Sequence, residues 1–208
     1  MKRIVTFTAA LLSVITLSAC GAKSATSDKT SSSSSSTSNT KLTTKNGHTA
    51  KMQDAIDKYN QVKVGSEYNK GKGGTSVEKV KAIYGNPDST THAKVEGTKE
   101  KSTVYNWKKV GNSKNGLTMS VEFYRGKTIF KSYSDYNEAQ KISNTKYKTI
   151  KKGASYKSTL QKLGTPVAES VVNSGISGVI VTKYYNTSGK EILLTFANHS
   201  LLFKGMSR

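Results

Sequence analysis

Two stretches of this chain keep the same distances between the same residues. Tyr59 to Gly65 and Tyr147 to Gly153 are each 6 positions apart, Pro87 to Tyr105 and Pro166 to Tyr184 are each 18, and Phe123 to Phe130 and Phe196 to Phe203 are each 7, with Lys131 and Lys204 following. Internal repetition of this kind limits the fold, because each copy builds one supersecondary unit that buries an apolar face against its neighbour. The second copy is the shorter: Gly65 to Pro87 spans 22 positions and Gly153 to Pro166 spans 13.

Local patterning says what each unit contains. Met52, Ala55, Ile56 and Tyr59 fall on one helical face. A second helix is expected over 76–84, opened by the capping-box pair Thr75 and Glu78, striped by Val77, Val80, Ile83 and Tyr84, and stopped by Gly85 and Pro87. In the second copy Ser155 caps a helix with the stripe Tyr156, Leu160 and Leu163, stopped by Gly164 and Pro166. A linker helix around Tyr136, Ala139 and Ile142, capped by Ser134 or Asp135, is expected to open that copy. The period then shifts towards 2. Tyr105 and Trp107 share a strand face, Leu117, Met119, Val121 and Phe123 alternate with Thr118, Ser120, Glu122 and Tyr124, and Arg125-Gly126-Lys127 turns the chain back into a hairpin. The lysine- and glycine-rich stretch from Tyr68 to Gly74 lacks P-loop spacing, since Lys72 is followed by Gly73, and is expected as a mobile insertion.

Ahead of this region stands a different kind of sequence. Lys2 and Arg3 precede an apolar run from Ile4 to Ala19, interrupted only by Thr and Ser. At 16 residues it is shorter than the roughly 20 that span a bilayer, and it has the form of a secretory signal. Leu17-Ser18-Ala19-Cys20 resembles the bacterial lipobox, which implies a diacylglyceryl lipid, with palmitate-type chains, on Cys20, the only cysteine. Each buried methylene contributes about 0.8 kcal/mol, so two acyl chains hold stably where one is marginal. Residues 20–51 are rich in Ser, Thr and Lys and cannot bury enough surface to fold. They read as a stalk with a root-mean-square span of roughly 30 Å. The expected organisation is a signal over 1–19, a lipidated Cys20 and stalk over 20–51, and two αβ copies over 52–133 and 134–208. The expected location is the extracytoplasmic face of the cell membrane.

Composition narrows the chemistry. Of 33 basic residues, all but Lys2 and Arg3 lie beyond the signal, leaving 31 against 13 acidic ones, a formal +18. Such a charge attracts wall teichoic acid, another anionic polymer or lipid headgroups at long range and loosens with salt. Lys146-Tyr147-Lys148-Thr149-Ile150-Lys151-Lys152 interleaves cations with the aromatic Tyr147 and with Ile150, a pattern open to single-stranded nucleic acid. His48, His92 and His199 have no partner at ligand spacing, and no Gly-x-Ser-x-Gly elbow occurs. No catalytic residue, metal site or cofactor is assigned, and the chain is read as no enzyme.

The order of helices and aromatic strands, with Tyr59, Gly65, Gly85-Asn86-Pro87, Tyr105-Asn106-Trp107 and Phe123 answered by Tyr147, Gly153, Gly164-Thr165-Pro166, Tyr184 and Phe196, resembles the beta-lactamase-inhibitory-protein fold. It is similar in particular to lipoproteins of Gram-positive bacteria that share that fold. The resemblance implies an α+β fold of two tandem repeats, each a helix pair packed on an antiparallel sheet, and a concave surface that grips another envelope or extracellular protein. No enzyme-contacting residue of the inhibitors is matched to a position here. Trp107, Tyr124, Tyr105, Tyr184 and Tyr185 are the candidate partner-binding residues, because large amphipathic aromatics are enriched at interface hot spots. Trp107 is matched by Asn186 at the equivalent place of the second copy, and Tyr124 by Ala197, so these places accept polar or small residues and the two are expected as the exposed pair, with Tyr105 and Tyr184 in the core.

Overall fold

The computed structural model describes residues 50–95, 98–110, 117–135, 141–173 and 177–207. The expected signal segment, Cys20, residues 20–49 of the stalk, and Tyr136 and Ala139 of the expected linker helix lie outside them. In chain order the elements are α1 (Ala50–Gln61), α2 (Val77–Tyr84), β1 (Ser89–Lys94), β2 (Lys101–Val110), β3 (Leu117–Tyr124), β4 (Lys127–Ser134), β5 (Lys141–Ile142), α3 (Asn144–Thr149), α4 (Tyr156–Leu163), β6 (Ala168–Asn173), β7 (Gly178–Asn186), β8 (Glu191–Ala197) and β9 (Ser200–Met206).

The short helices have clear local causes. Ser76 rather than Thr75 caps α2, its Oγ accepting from the Lys79 N–H, while Thr75 Oγ1 accepts from the Lys63 N–H at 2.7 Å. Gly85 at φ 81° and Gly164 at φ 83° end α2 and α4, a left-handed conformation that glycine adopts without a Cβ clash. Ser143 caps α3 and Ser155 caps α4. The linker-helix expectation fails where it can be seen: Ser134 ends β4, and Ile142 lies on β5, paired in parallel with β7. The stretch from Ser66 to Gly74 is a closed turn rather than a mobile insertion. Ser66 bridges Lys72, Gly71 N–H donates to Ser66 O at 2.7 Å, and Gly65 N–H donates to Thr128 O at 2.8 Å.

The sheet corrects the expected fold class. All nine strands join one sheet, ordered β1-β2-β3-β4-β6-β7-β8-β9 with β5 beside β7, antiparallel apart from the β5–β7 pair. The overturning contact is β4 against β6, running from Phe130 opposite Val172 to Ser134 opposite Ala168. The fold is therefore a nine-stranded sheet with few, short helices, and not two repeats each built as a helix pair on a sheet of its own. Pairing with β3 on one side of β4, and with β7 on one side of β6, leaves each strand one further edge, and these edges satisfy each other's backbone groups.

One side of the sheet holds the core. Ala55, Ile56, Tyr59 and Val80 from α1 and α2 pack on Trp107, Leu117, Met119, Val121, Phe123 and Tyr133. Ile150 and Leu163 pack on Ile180, Tyr184, Ile192, Leu194 and Phe196. Two strand lysines also turn to this side: Lys131 Nζ donates to Tyr59 O at 2.9 Å, and Lys204 Nζ donates to Ile150 O at 2.8 Å. A cation at the C-terminal end of a helix complements the helix dipole there.

Candidate interaction face

Because strand side chains alternate, the register that puts Met119, Val121 and Phe123 under the helices puts Thr118, Ser120 and Glu122 on the opposite face. Carried across the sheet, the same register adds Val104 and Asn106 from β2, Phe130 and Ser132 from β4, Ser170 and Val172 from β6, Val179, Val181 and Tyr185 from β7, and Leu193, Thr195 and Phe203 from β8 and β9. Val104, Phe130, Val172, Val179, Val181 and Leu193 are all half-buried, and none belongs to a core cluster of the described residues. Phe203, at the β9 margin, is 58% exposed. The face is an expanse of valine, leucine, phenylalanine and small hydroxyls with no helix packed on it among the described residues.

Its electrostatics differ from those of the chain as a whole. In a sequence of formal charge +20, the charged groups on the central strands of this face already have an ionic or a hydrogen-bonding partner. Lys183 Nζ meets Glu191 Oε2 at 2.8 Å, and Glu122 accepts from the Ser102 hydroxyl. Depletion of charge with retained apolar and hydroxyl surface is the composition of the buried centre of a protein interface.

The predicted binding aromatics are distributed otherwise than expected. Trp107 is 3% exposed, on the helix side, with its Nε1–H donating to Gly85 O at 3.2 Å and its ring 5.2 Å from that of Tyr84. Tyr124 is 4% exposed, enclosed with Val95 and Ile129 and stacked under Arg125. The expectation that these two form the exposed pair is thus corrected: both are spent on packing. Tyr184 is buried, its hydroxyl donating to Gly164 O at 3.0 Å, and Tyr105 packs partly buried against Trp107 and Phe123. Of the five, Tyr185 alone is a half-buried residue on the open face. Phe130, Val172, Val181 and Leu193 are not among the candidates read from sequence, because alternation marks a strand without saying which set of its residues lies under the helices.

Behind the face, where β4 meets β6, lies a buried polar cluster. Tyr156 donates its hydroxyl to Glu169, Tyr133 donates to Pro166 O at 3.1 Å, and Lys131 Nζ stands 3.9 Å from the centre of the Tyr59 ring. Burial pushes the Glu169 carboxyl up, opposed by the Tyr156 hydrogen bond and by Lys131. Burial likewise pushes Lys131 down to about 8, opposed by Glu169. These groups are enclosed and hold the seam of the sheet together.

No curated protein matches the sequence. Among solved structures, the chain is similar to a "putative beta-lactamase inhibitor protein" from Streptococcus mutans, with 26% identity and a TM-score of 0.61 over 74% of this chain and 96% of that one. That likeness supports the beta-lactamase-inhibitory-protein-like fold. The profile of DUF3862, a domain of unknown function with solved structure, matches residues 51–206, and the chain belongs to that family.

Proposed function

We propose that this protein is a non-catalytic binding module that captures a folded envelope or extracellular protein on the open face of its sheet. The observation that carries the reading is a charge-depleted sheet face, with no helix packed on it among the described residues, in an otherwise strongly basic chain. The name of the similar Streptococcus mutans structure, a "putative beta-lactamase inhibitor protein", points the same way, towards recognition of a protein surface. A stable complex buries about 1,200–2,000 Å² in total, and a multi-strand face is a suitable platform for it. The test compares capture by the parent with capture by Val172→Lys and Val181→Lys, which place an unpaired cation in the middle of the face. A partner retained by the parent through washes at about 0.15 M and about 1 M salt, and held at least tenfold less tightly by both variants, is the expected result. Capture that survives both substitutions would remove the face from the site. Retention lost by the parent at high salt alone would favour the second reading, a basic module held to anionic wall polymer or lipid headgroups, which rests on the formal +18 beyond the signal.

The lipobox-like Leu17-Ser18-Ala19-Cys20 supports anchoring of this module to the outer side of the cell membrane, with 1–19 removed and 20–51 as the stalk. Radiolabelled palmitate supplied in growth should label the parent and leave a Cys20→Ala variant unlabelled. Equal labelling of the two, or none of the parent, would contradict lipidation of Cys20.

A further inference from the structure

The two margins of the sheet are unlike. β1, at one end, is Ser-Thr-Thr-His-Ala-Lys, polar and exposed, with Lys94 at its end, a composition that guards an edge strand against pairing. β9, at the other end, carries Leu202 and Phe203 exposed at 56% and 58%. Its one charge does not guard it, because Lys204 is turned inward to Ile150 O and over the Tyr147 ring.

The same edge is filled elsewhere in the molecule. In β4, Thr128 turns its backbone outward, donating to Thr75 O at 2.9 Å and accepting from Gly65 N–H at 2.8 Å, and from Phe130 onward that edge takes up β6. In β9, Leu201 does the same, donating to Ala154 O at 2.9 Å and accepting from Gly153 N–H at 2.8 Å. Beyond it, Leu202–Met206 has no strand on its outer side among the described residues. Lys131 and Lys204 occupy matching places in the two strands, each bonded to a carbonyl at the end of a helix.

The surroundings of this edge select its occupant. The segment that reaches β9 through Ile150, Gly153 and Ala154 carries Lys146, Lys148, Lys151 and Lys152, all exposed and none ion-paired among the described residues. A second copy brought against β9 about a two-fold axis would set these cations against their own counterparts. An extended strand bearing carboxylates would meet them favourably. We infer that the outer edge of β9, over Leu202–Met206, is a docking site for an extended acidic segment of a partner protein, added to the sheet as a further antiparallel strand. Backbone hydrogen bonds supply the pairing, Phe203 supplies apolar contact, and the lysines select for acid.

This inference is independent of the open-face reading. Residues 20–208 carrying Cys20→Ser are titrated, with backbone amides observed by NMR, with a capped peptide of the sequence of residues 167–173, which contains the strand that β4 accepts. A second peptide has lysine in place of its glutamate. Amide shifts concentrated on Phe203–Ser207, at least about threefold weaker with the lysine peptide, are expected. Lys148→Glu/Lys151→Glu should reverse that preference, a readout that mere loss of fold would not produce. The inference is overturned if neither peptide shifts β9 by about 1 mM, if the shifts fall on Val181 and Leu193 instead, or if the charge reversal leaves the preference unchanged. It is also overturned if sedimentation shows a dimer that Phe203→Lys dissolves, since β9 would then be closed by a second copy.

Discussion

Trp107 offers the sharpest separation of packing from binding. It is the only tryptophan, 3% exposed, with Tyr84 and Tyr105 at ring distances of 5.2 and 6.0 Å and its indole N–H on Gly85 O. Truncating a buried tryptophan to alanine costs about 3–5 kcal/mol in lost burial and residual cavity. Trp107→Phe keeps part of the ring contact but leaves Gly85 O without this donor, at a cost of about 1–3 kcal/mol. A domain of this kind has about 5–15 kcal/mol in total, so Trp107→Ala removes a large share and Trp107→Phe a tolerable one. Urea unfolding followed by far-ultraviolet circular dichroism measures both, and the parent's tryptophan emission should be that of a ring shielded from water. Trp107→Phe should remain folded and capture its partner as the parent does. A Trp107→Ala variant within about 0.5 kcal/mol of the parent, the range of an ordinary surface substitution, would refute the reasoning.

Lys131 predicts a pH dependence. Its folded value of about 8 lies below the ordinary 10.5, so between these values the unfolded chain holds a proton that the folded chain has released. Stability from this group therefore rises with pH across that window, by about 3 kcal/mol if the whole shift is realised. The difference in unfolding free energy between the parent and Lys131→Met, measured from pH 7.5 to 10.5, should move in the parent's favour, and a flat difference would contradict burial of the ammonium. Gly65→Ala would place a Cβ 2.2 Å from Gly71 O and 2.4 Å from Gly74 N, both backbone atoms. It should destabilise the chain by about 1–3 kcal/mol in urea unfolding, whereas an unchanged midpoint would mean that the turn yields.

The local elements were legible in the sequence because their causes are local. The apolar stripe at Ala55, Ile56 and Tyr59, the serine before α4, and the Gly-x-Pro stops appear as helices of nearly the expected extent. What the sequence could not convey is which strand edges meet. The matching spacings around Phe130 and Phe203 are equally compatible with two separate sheets and with β4 joined to β6, since pairing depends on backbone groups that every residue carries. The error over Trp107 has a different cause. Asn186 stands at its equivalent place, and a polar residue there suggested exposure. Yet Asn186 is 1% exposed, its amide donating to Asn144 Oδ1 at 3.1 Å and its Oδ1 accepting from Lys190 N–H at 2.7 Å. A buried amide with satisfied partners mimics a surface position when only residue type is read. The open face was obscured for a related reason: β8 reads Glu-Ile-Leu-Leu-Thr-Phe-Ala, with apolar residues on both parities, so alternation alone does not say which set lies under the helices.

The most direct test of the central claim is methyl NMR of the valine, leucine and isoleucine side chains with and without the captured partner. The account predicts that the perturbed methyls are those of Val172, Val179, Val181 and Leu193, on the open face. Perturbation confined to Val77, Ile83 and Leu160, on the helices of the opposite side, would contradict it.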